Sequence, residues 1–396
     1  MFPAFKLIPA PFASAGANPE KPLLCRLIIP DDLPPGNAEI AVSDGTMPLW
    51  SESFVFNGDE TRMTLEIPSW MADQAIALML TINRNRRINA LVRAEIARPT
   101  SPPVTVHIIQ SALTRLPFGS ESRGPLEERA RMIERALDMA STGVDAGPES
   151  FRWTIDALPP LVHYIRTRPQ AADRLRSALD RGVIDVSPAL LHPRYDLPTC
   201  AWATFIDQLH FVRDALSRDL QTALWVSSAP PGDRDVDILA GGGINSLAHL
   251  TPAPSAARFG TPVGLSRRAL SGSDGLLVLS GVRAFNGNFA GLPGTMEETT
   301  DAIIDLWIDQ CLAHPGFNQL FVHVGADSET NGYPSDQYGA LVQQINASVD
   351  GAWATTAIPT TYFAAARAFD TADSTAVDRT NHRHAVPPGA WAGRNA

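Results

Sequence analysis

Short apolar runs alternate with amphipathic helical patterns from residue 104 to residue 348, and this repeat constrains the fold more than any other feature. The largely apolar run at 104–109 is typical of a strand that is buried on both faces. The segment 125–140 carries apolar or small side chains at helical spacing, with charged residues on its other face. Because such alternation builds parallel sheets, it predicts an α/β fold, either a barrel or a doubly wound sheet.

The same patterns set the expected boundaries of the later elements. Strands are predicted at 150–154, 183–187, 222–226, 244–248, 275–279 and 319–324. Helices are predicted at 155–167, 170–181, 199–218, 234–241, 295–313 and 335–348.

The N-terminal quarter of the chain has a different pattern. Short β-type runs are expected at 23–29, 38–43, 53–56, 63–67 and 75–82, separated by turn residues such as Asn57-Gly58. We therefore predict a small, sandwich-like all-β domain over 1–100. Its role is accessory, since it holds no cluster of catalytic residue types. The α/β domain is expected to span 104–369, followed by a loosely ordered polar tail at 370–396.

Composition excludes several classes of function. The formal net charge is −10 and no basic run occurs, so a nucleic-acid partner is not expected. No stretch reaches the roughly 18 apolar residues of a membrane-spanning helix. The three cysteines are isolated, which argues against disulfides and cysteine zinc sites and indicates a reducing compartment, the cytoplasm. Prolines interrupt the N-terminal apolar run, so we expect no signal peptide.

Four segments have the order and spacing of a known enzyme family. They are Glu-Ser-Phe-Arg-Trp-Thr-Ile-Asp at 149–156, the helix and strand at 168–186, Ala-Gly-Gly-Gly-Ile at 240–244, and the Asp/Asn/Pro loop at 325–334. Together they resemble the catalytic domain of glycoside hydrolase family 38, the zinc-dependent α-mannosidases. The resemblance covers residues 104–366. It implies a parallel (β/α)7-type barrel, with the active site at the carboxyl ends of the strands.

The positions that should carry the family's chemistry hold other residues. The resemblance places Leu113 and Arg115 where the family has a zinc-binding His-x-Asp pair, and Ser228 in the stretch that should hold the nucleophilic aspartate. No His-x-Asp occurs between residues 100 and 125, whatever the alignment. Leucine cannot bind a metal and arginine would repel one. We therefore predict no metal ligands and no cofactor, although the resemblance implies zinc.

Other polar residues follow the predicted strands, where a barrel would present a ligand. The candidates for catalysis are Asp156, His192, Asp196, Asp327 and Glu329, and the candidates for ligand binding are Arg115, Trp153, Tyr195, His323 and Asn331. Carboxylate and imidazole groups suit acid–base work, an indole can stack on a sugar, and a guanidinium can hold a carboxylate or phosphate. Each candidate also has a plain structural reading as a turn residue, a helix-terminal charge, a core side chain or an internal ion pair.

Three functions stay open. The first is a degenerate glycoside hydrolase domain that binds a carbohydrate or acts as a scaffold without catalysis. The second is a divergent hydrolase of a carbohydrate or glycoconjugate that uses carboxylates from the loops. The third is a structural subunit of a larger assembly, with a protein partner. The sequence favours the first because the ligands of the metal are replaced, and it leaves open whether the chain is an enzyme.

Overall fold

The fold is described from a computed structural model of the chain. The structure describes residues 6–10, 13–14, 23–29, 35–43, 48–56, 61–68, 75–82, 88–95, 103–112, 123–142, 147–191, 199–226, 231–252, 264–268, 276–286, 296–310, 317–325 and 334–372. None of the helices within these ranges combines the length and the apolar character that crossing a membrane requires.

Two antiparallel sheets form the N-terminal part of the described chain. Their strands, with the short β2, are β1 (Lys6–Pro9), β2 (Ala13–Ser14), β3 (Leu23–Ile29), β4 (Gly36–Ser43), β5 (Pro48–Phe56), β6 (Thr61–Ile67), β7 (Ala75–Ile82) and β8 (Ile88–Glu95). One sheet has the order β1–β3–β6 and the other β5–β4–β7–β8. Ala38, Ile40 and Val42 are buried on β4, whereas Leu49 and Val55 on β5 are exposed. This two-residue periodicity explains why the sequence pattern marks these strands.

A larger, mostly parallel sheet follows. Its strands and the short β18 are β9 (Val104–Ser111), β10 (Trp153–Ile155), β11 (Ile184–Val186), β12 (Ala189–Leu191), β13 (Thr222–Val226), β14 (Ser246–Pro252), β15 (Gly264–Arg268), β16 (Leu276–Asn286), β17 (Gln319–Gly325), β18 (Val349–Asp350) and β19 (Ala352–Ala357). Over the described residues the order is β11–β10–β9–β17–β16–β14–β13–β12. In addition, β19 runs parallel beside β9 and β15 antiparallel beside β16.

The two ends of this strand order lie next to each other along the chain. Only Ser187 and Pro188 separate β11 from β12. The Ser187 amide donates a hydrogen bond to the Ile155 carbonyl of β10 (2.9 Å), and the Leu224 amide of β13 donates to the Pro188 carbonyl (3.1 Å). This short connection therefore bonds to β10 on one side and to β13 on the other.

Eight helices are described, and they pack against the parallel sheet. They are α1 (Arg123–Thr142), α2 (Leu158–Thr167), α3 (Ala172–Asp180), α4 (Thr199–Leu216), α5 (Asp233–Gly241), α6 (Met296–Gln310), α7 (Gln337–Ser348) and α8 (Pro359–Ala372). Buried side chains of α1 to α5 pack with Trp153 and Ile155 in one core cluster. Against strands β9 and β17, the ring of Tyr362 in α8 lies 5.6 Å from that of His107 and 5.0 Å from that of Phe321.

Several contacts among the described residues join the N-terminal strands to the α/β part, and Ala10 and Leu24 belong to its core cluster. Strand β2 pairs with β18. Arg26 on β3, 4% exposed, reaches α6, where its Nε and Nη2 donate to the two carboxylate oxygens of Asp305 at 2.9 and 2.6 Å. Its Nη1 lies 3.5 Å from Asp301 and donates to Thr64 at 2.8 Å. A bidentate arginine–carboxylate pair therefore holds β3 against α6.

The predicted α/β class with a parallel sheet and a strand-rich N-terminal region is confirmed. Strand β13 has the predicted bounds, and the predicted helices agree with the observed ones to within a few residues. The sequence analysis missed α8, although Pro359 at its first position is a typical start signal. It also missed the strands β1, β2, β8, β12, β15, β18 and β19. The division into domains stays a prediction, and residues 373–396 of the predicted tail lie outside the described residues.

Candidate functional site

Three polar side chains meet at the carboxyl ends of neighbouring strands β10, β9 and β17. The Oγ of Ser111 lies 2.9 Å from the Nε2 of His323 and donates to the Oδ2 of Asp156 at 3.4 Å. Each of the three residues is at most 2% exposed. Asp156 and His323 are distant in the sequence, but the strand order β10–β9–β17 places Ser111 between them.

Burial fixes the charge state of the imidazole in this cluster. It lowers the pKa of His323 to about 3, so the ring is neutral at neutral pH. Within the described part of the chain the Nδ1 of His323 has no hydrogen-bond partner. A buried N–H without an acceptor is costly, so the favoured tautomer carries its proton on Nε2 and donates to Ser111, which in turn donates to Asp156.

This arrangement differs from a Ser-His-Asp catalytic triad. A triad places the carboxylate on the Nδ1 of the histidine, and the Nε2 accepts the proton of the serine. Here the carboxylate of Asp156 lies on the serine side, and the Nε2 of His323 serves as the donor. In this tautomer His323 is therefore not a general base for Ser111.

A small cavity adjoins the cluster on the side of α1 and α2. Its volume is ≈ 10 Å³, about the room that one water molecule needs. The lining side chains come from α1, α2 and the ends of β9 and β10: Ala112, Arg129, Met132, Ile133, Trp153, Ile155, Asp156, Ala157 and Pro160. Asp156 thus belongs both to the hydrogen-bonded cluster and to the cavity wall.

Arg129 on α1 supplies the positive charge of this cavity. The residue is 9% exposed, and its Nη1 donates to the Met132 sulfur at 3.0 Å. That contact is the only hydrogen bond or ion pair of Arg129 in the part of the chain that the structure describes. Arg129 was not predicted, although the signal is present: it lies three residues after Leu126 and four before Ile133, within the apolar face of the helix.

A second buried carboxylate, Asp185 on β11, has a structural role. Its Oδ2 accepts from the amide of Thr360 at 3.3 Å and from the Thr360 hydroxyl at 2.5 Å. Its Oδ1 accepts from the Val186 amide at 2.8 Å. Because Thr360 is in the first turn of α8, Asp185 satisfies an amide that the helix itself leaves unpaired.

The structure brings together only some of the predicted site residues. Asp156 and His323 share one cluster, and Trp153, 3% exposed, lies in the core and lines the cavity beside Asp156. The other predicted residues lie outside the described residues: Arg115, His192, Tyr195, Asp196, Asp327, Glu329 and Asn331. Their roles stay predictions.

The residues that could hold the zinc of the resembled family do not fit it. Leucine, arginine and serine stand at 113, 115 and 228, and none of these types is a zinc ligand in the sites that such enzymes use. Among the residues that the structure describes, no group of three or more His, Cys, Asp or Glu side chains is placed to hold a metal ion.

Comparison with known proteins gives similarity at the level of structure. No protein-family model matches the chain, and no curated protein is significantly similar to it. An α-mannosidase from Enterococcus faecalis covers 67% of this chain at 14% identity, with a TM-score of 0.48. A family 38 glycosyl hydrolase from the same organism covers 68% at 12% identity, with a TM-score of 0.45. A 4-α-glucanotransferase from Thermococcus litoralis covers 66% at 15% identity, with a TM-score of 0.40.

The matches cover only part of this chain and a smaller part of each similar structure. The chain spans 28% of the family 38 protein, 29% of the α-mannosidase and 38% of the glucanotransferase. Over the part that is matched, the chain resembles the catalytic domain of glycoside hydrolase family 38.

Proposed function

We propose that this chain binds a carbohydrate at the carboxyl edge of its parallel sheet and does not cleave it. One observation carries the proposal: the carboxylate of Asp156 lines a cavity at this edge and is oriented by Ser111. A buried carboxylate that is fixed by a neighbour can accept hydrogen bonds from sugar hydroxyls.

We propose that the chain does not cleave the sugar because too few buried carboxylates line the cavity. A glycosidase needs two carboxyl groups that flank the scissile bond, about 5–9 Å apart. In the described part of the chain two aspartates are buried, Asp156 and Asp185. Asp185 is bonded to the first turn of α8. Asp156 is therefore the single buried carboxylate of these ranges that lines the cavity, which suits binding better than hydrolysis.

We further propose that the parallel sheet closes into a seven-stranded barrel of the (β/α)7 type. The support comes from Ser187 and Pro188, whose backbone groups bond to β10 and β13 respectively. If β11 and β12 act as one interrupted strand, each of the seven parallel strands has a neighbour on both sides. The carboxyl ends of the strands then face a common opening, where Asp156 and His323 lie.

The test combines binding with hydrolysis on the full chain. Isothermal titration with a panel of monosaccharides should give saturable binding for at least one sugar. Asp156→Asn should weaken that binding about tenfold or more, since a charge-assisted hydrogen bond is replaced by a neutral one. Asp173→Asn is the matched control, because Asp173 is an exposed aspartate on α3 and should bind as the wild type does.

Hydrolysis is measured on nitrophenyl glycosides, with and without added zinc, beside the metal content of the purified protein. No release of nitrophenol together with sugar binding supports the proposal. Release that Asp156→Asn leaves intact would favour the divergent hydrolase, with its carboxylates among Asp196, Asp327 and Glu329. Failure to bind any sugar would favour a structural subunit.

A further inference from the structure

The starting point is a buried cation, Arg129, that forms no ion pair with a carboxylate among the residues that the structure describes. Arg129 is 9% exposed, and within the described residues its guanidinium contacts a thioether sulfur, not a carboxylate. Sulfur is a weak acceptor. A buried guanidinium with so weak a partner is unfavourable, because the charge has lost water and gained little in exchange. A site of this kind gains most from an anion that arrives with a ligand.

The surroundings of Arg129 define where such an anion would bind. The guanidinium lines the same cavity as Asp156, and the other side chains of the wall are apolar or aromatic. Opposite charges in one small cavity orient a ligand that carries an anionic group at one position and hydroxyl groups at another. The planar guanidinium, with five N–H donors, matches the paired oxygens of a carboxylate or a phosphate.

We propose that Arg129 binds the carboxylate or phosphate of an acidic sugar in this cavity, while Asp156 accepts its hydroxyl groups. The inference rests on the proposed carbohydrate binding and specifies the class of sugar. It concerns ligand binding, and no covalent step is involved.

The sulfur of Met132 occupies the position beside Arg129 that the anion would take. It lies 3.0 Å from the guanidinium, at the distance that a ligand oxygen would take. The cavity of ≈ 10 Å³ is too small for an anionic group, so the ligand must displace this side chain. Met132 is a core side chain, 2% exposed, but a methionine is unbranched and flexible, so a change of rotamer can open space beside Arg129.

The experiment compares three probes on the full chain by isothermal titration: D-glucuronate, D-glucose 6-phosphate and D-glucose. We expect one of the two acidic sugars to bind about 10- to 100-fold more tightly than glucose, as hydrogen bonds to a charged group provide. Arg129→Met should remove this difference, and Arg129→Lys should retain part of it. Arg131→Met, an exposed arginine on the same helix, should bind as the wild type does.

Each outcome decides the inference. Equal binding of glucose and both acidic sugars, unchanged in Arg129→Met, overturns it and leaves the proposed carbohydrate binding intact. If all three sugars fail to bind while inorganic phosphate raises the Tm only when Arg129 is present, the anion site stands and the carbohydrate is wrong. If neither sugars nor phosphate have any effect, both proposals are overturned. The Tm of every variant without ligand shows whether it is folded.

Discussion

Two buried arginines in this molecule have opposite surroundings. Arg26, at the contact of β3 with α6, makes a bidentate pair with Asp305 and lies 3.5 Å from Asp301. Arg129, at the carboxyl edge of the parallel sheet, has the sulfur of Met132 as its partner within the described residues. The first site is complete without any other molecule. The second is incomplete, and a buried charge left in that state marks a place for a ligand.

The two buried aspartates also differ in their surroundings. Asp185 uses both of its carboxylate oxygens to bond the start of α8 and its own strand. Asp156 accepts from Ser111 at 3.4 Å, a long hydrogen bond, and faces a cavity. Burial of a carboxylate near the end of a strand therefore does not identify a functional site. The difference is that Asp156 lines the cavity, whereas Asp185 is bonded to the first turn of α8.

The largest effect on stability is expected when Arg26, the arginine that is paired with carboxylates, is replaced. Arg26→Met leaves Asp305 and Asp301 without a counter-charge, and breaking a buried pair on one side typically costs about 3–5 kcal/mol. Because the two carboxylates are 34% and 37% exposed, we expect a loss near the lower figure, measured by urea unfolding.

Arg176→Met is the matched control for this variant. Arg176 pairs with Asp173 at the protein surface, where the side chains are 40% and 82% exposed. Such pairs contribute about 0–1 kcal/mol. If Arg26→Met cost no more than this control, Arg26 would not be the structural pair that the comparison requires.

The next effect is the dependence of stability on pH through His323. Its folded-state pKa of about 3 lies below the ordinary value of 6.5, so the unfolded chain takes up the proton first. Stability is fully present above pH 6.5 and falls by about 1.4 kcal/mol for each pH unit below it. Burial also lowers the pKa of His107, so His107 likewise makes the protein less stable as the pH falls.

In His323→Gln, unfolding between pH 6 and pH 4 should take up about one proton fewer than in the wild type, so the free energy of unfolding should depend less steeply on pH. The fold should stay intact, since glutamine can still donate to Ser111. His163→Gln, which removes a histidine at the surface of α2 beside Glu127, is the control. An unchanged slope in His323→Gln would mean that the ring is not held neutral, and the proposed tautomer of the cluster would be wrong.

The sequence analysis identified some of the residues of the candidate site and missed others. Asp156 and His323 were found because each lies at or directly after a predicted strand. Their proximity could not be predicted, since it depends on β9 lying between β10 and β17 in the sheet. Strand order is a long-range property that local periodicity does not encode.

Ser111 and Arg129 were missed for different reasons. A serine at the end of an apolar strand is indistinguishable from an ordinary polar boundary. Arg129 was hidden by treating α1 as a simple amphipathic helix, when one position of its apolar face carries a charge. The fold, by contrast, could be predicted to the level of class because alternating strand and helix patterns restrict the possible architectures.

The third prediction concerns Asp185, whose two carboxylate oxygens both accept hydrogen bonds. Asp185→Ala should lower the free energy of unfolding by about 1–2 kcal/mol, because an amide in the first turn of α8 and the Thr360 hydroxyl lose their acceptor. Sugar binding to the folded variant should be unchanged, as the cavity does not include Asp185. Loss of binding with retained stability would show that Asp185 acts at the site after all.

The smallest stability effect is expected at the incomplete site. Arg129→Met removes a charge that has no ion pair within the described chain, so no ion pair of these residues is broken, and a thioether can pack beside Met132. We expect the free energy of unfolding without ligand to change by less than about 0.5 kcal/mol or to rise, measured by the urea unfolding used for Arg26→Met. A loss comparable to that of Arg26→Met would mean that Arg129 is held by structural contacts. The two arginines would then be alike, and the argument that the second one awaits an anion would fail.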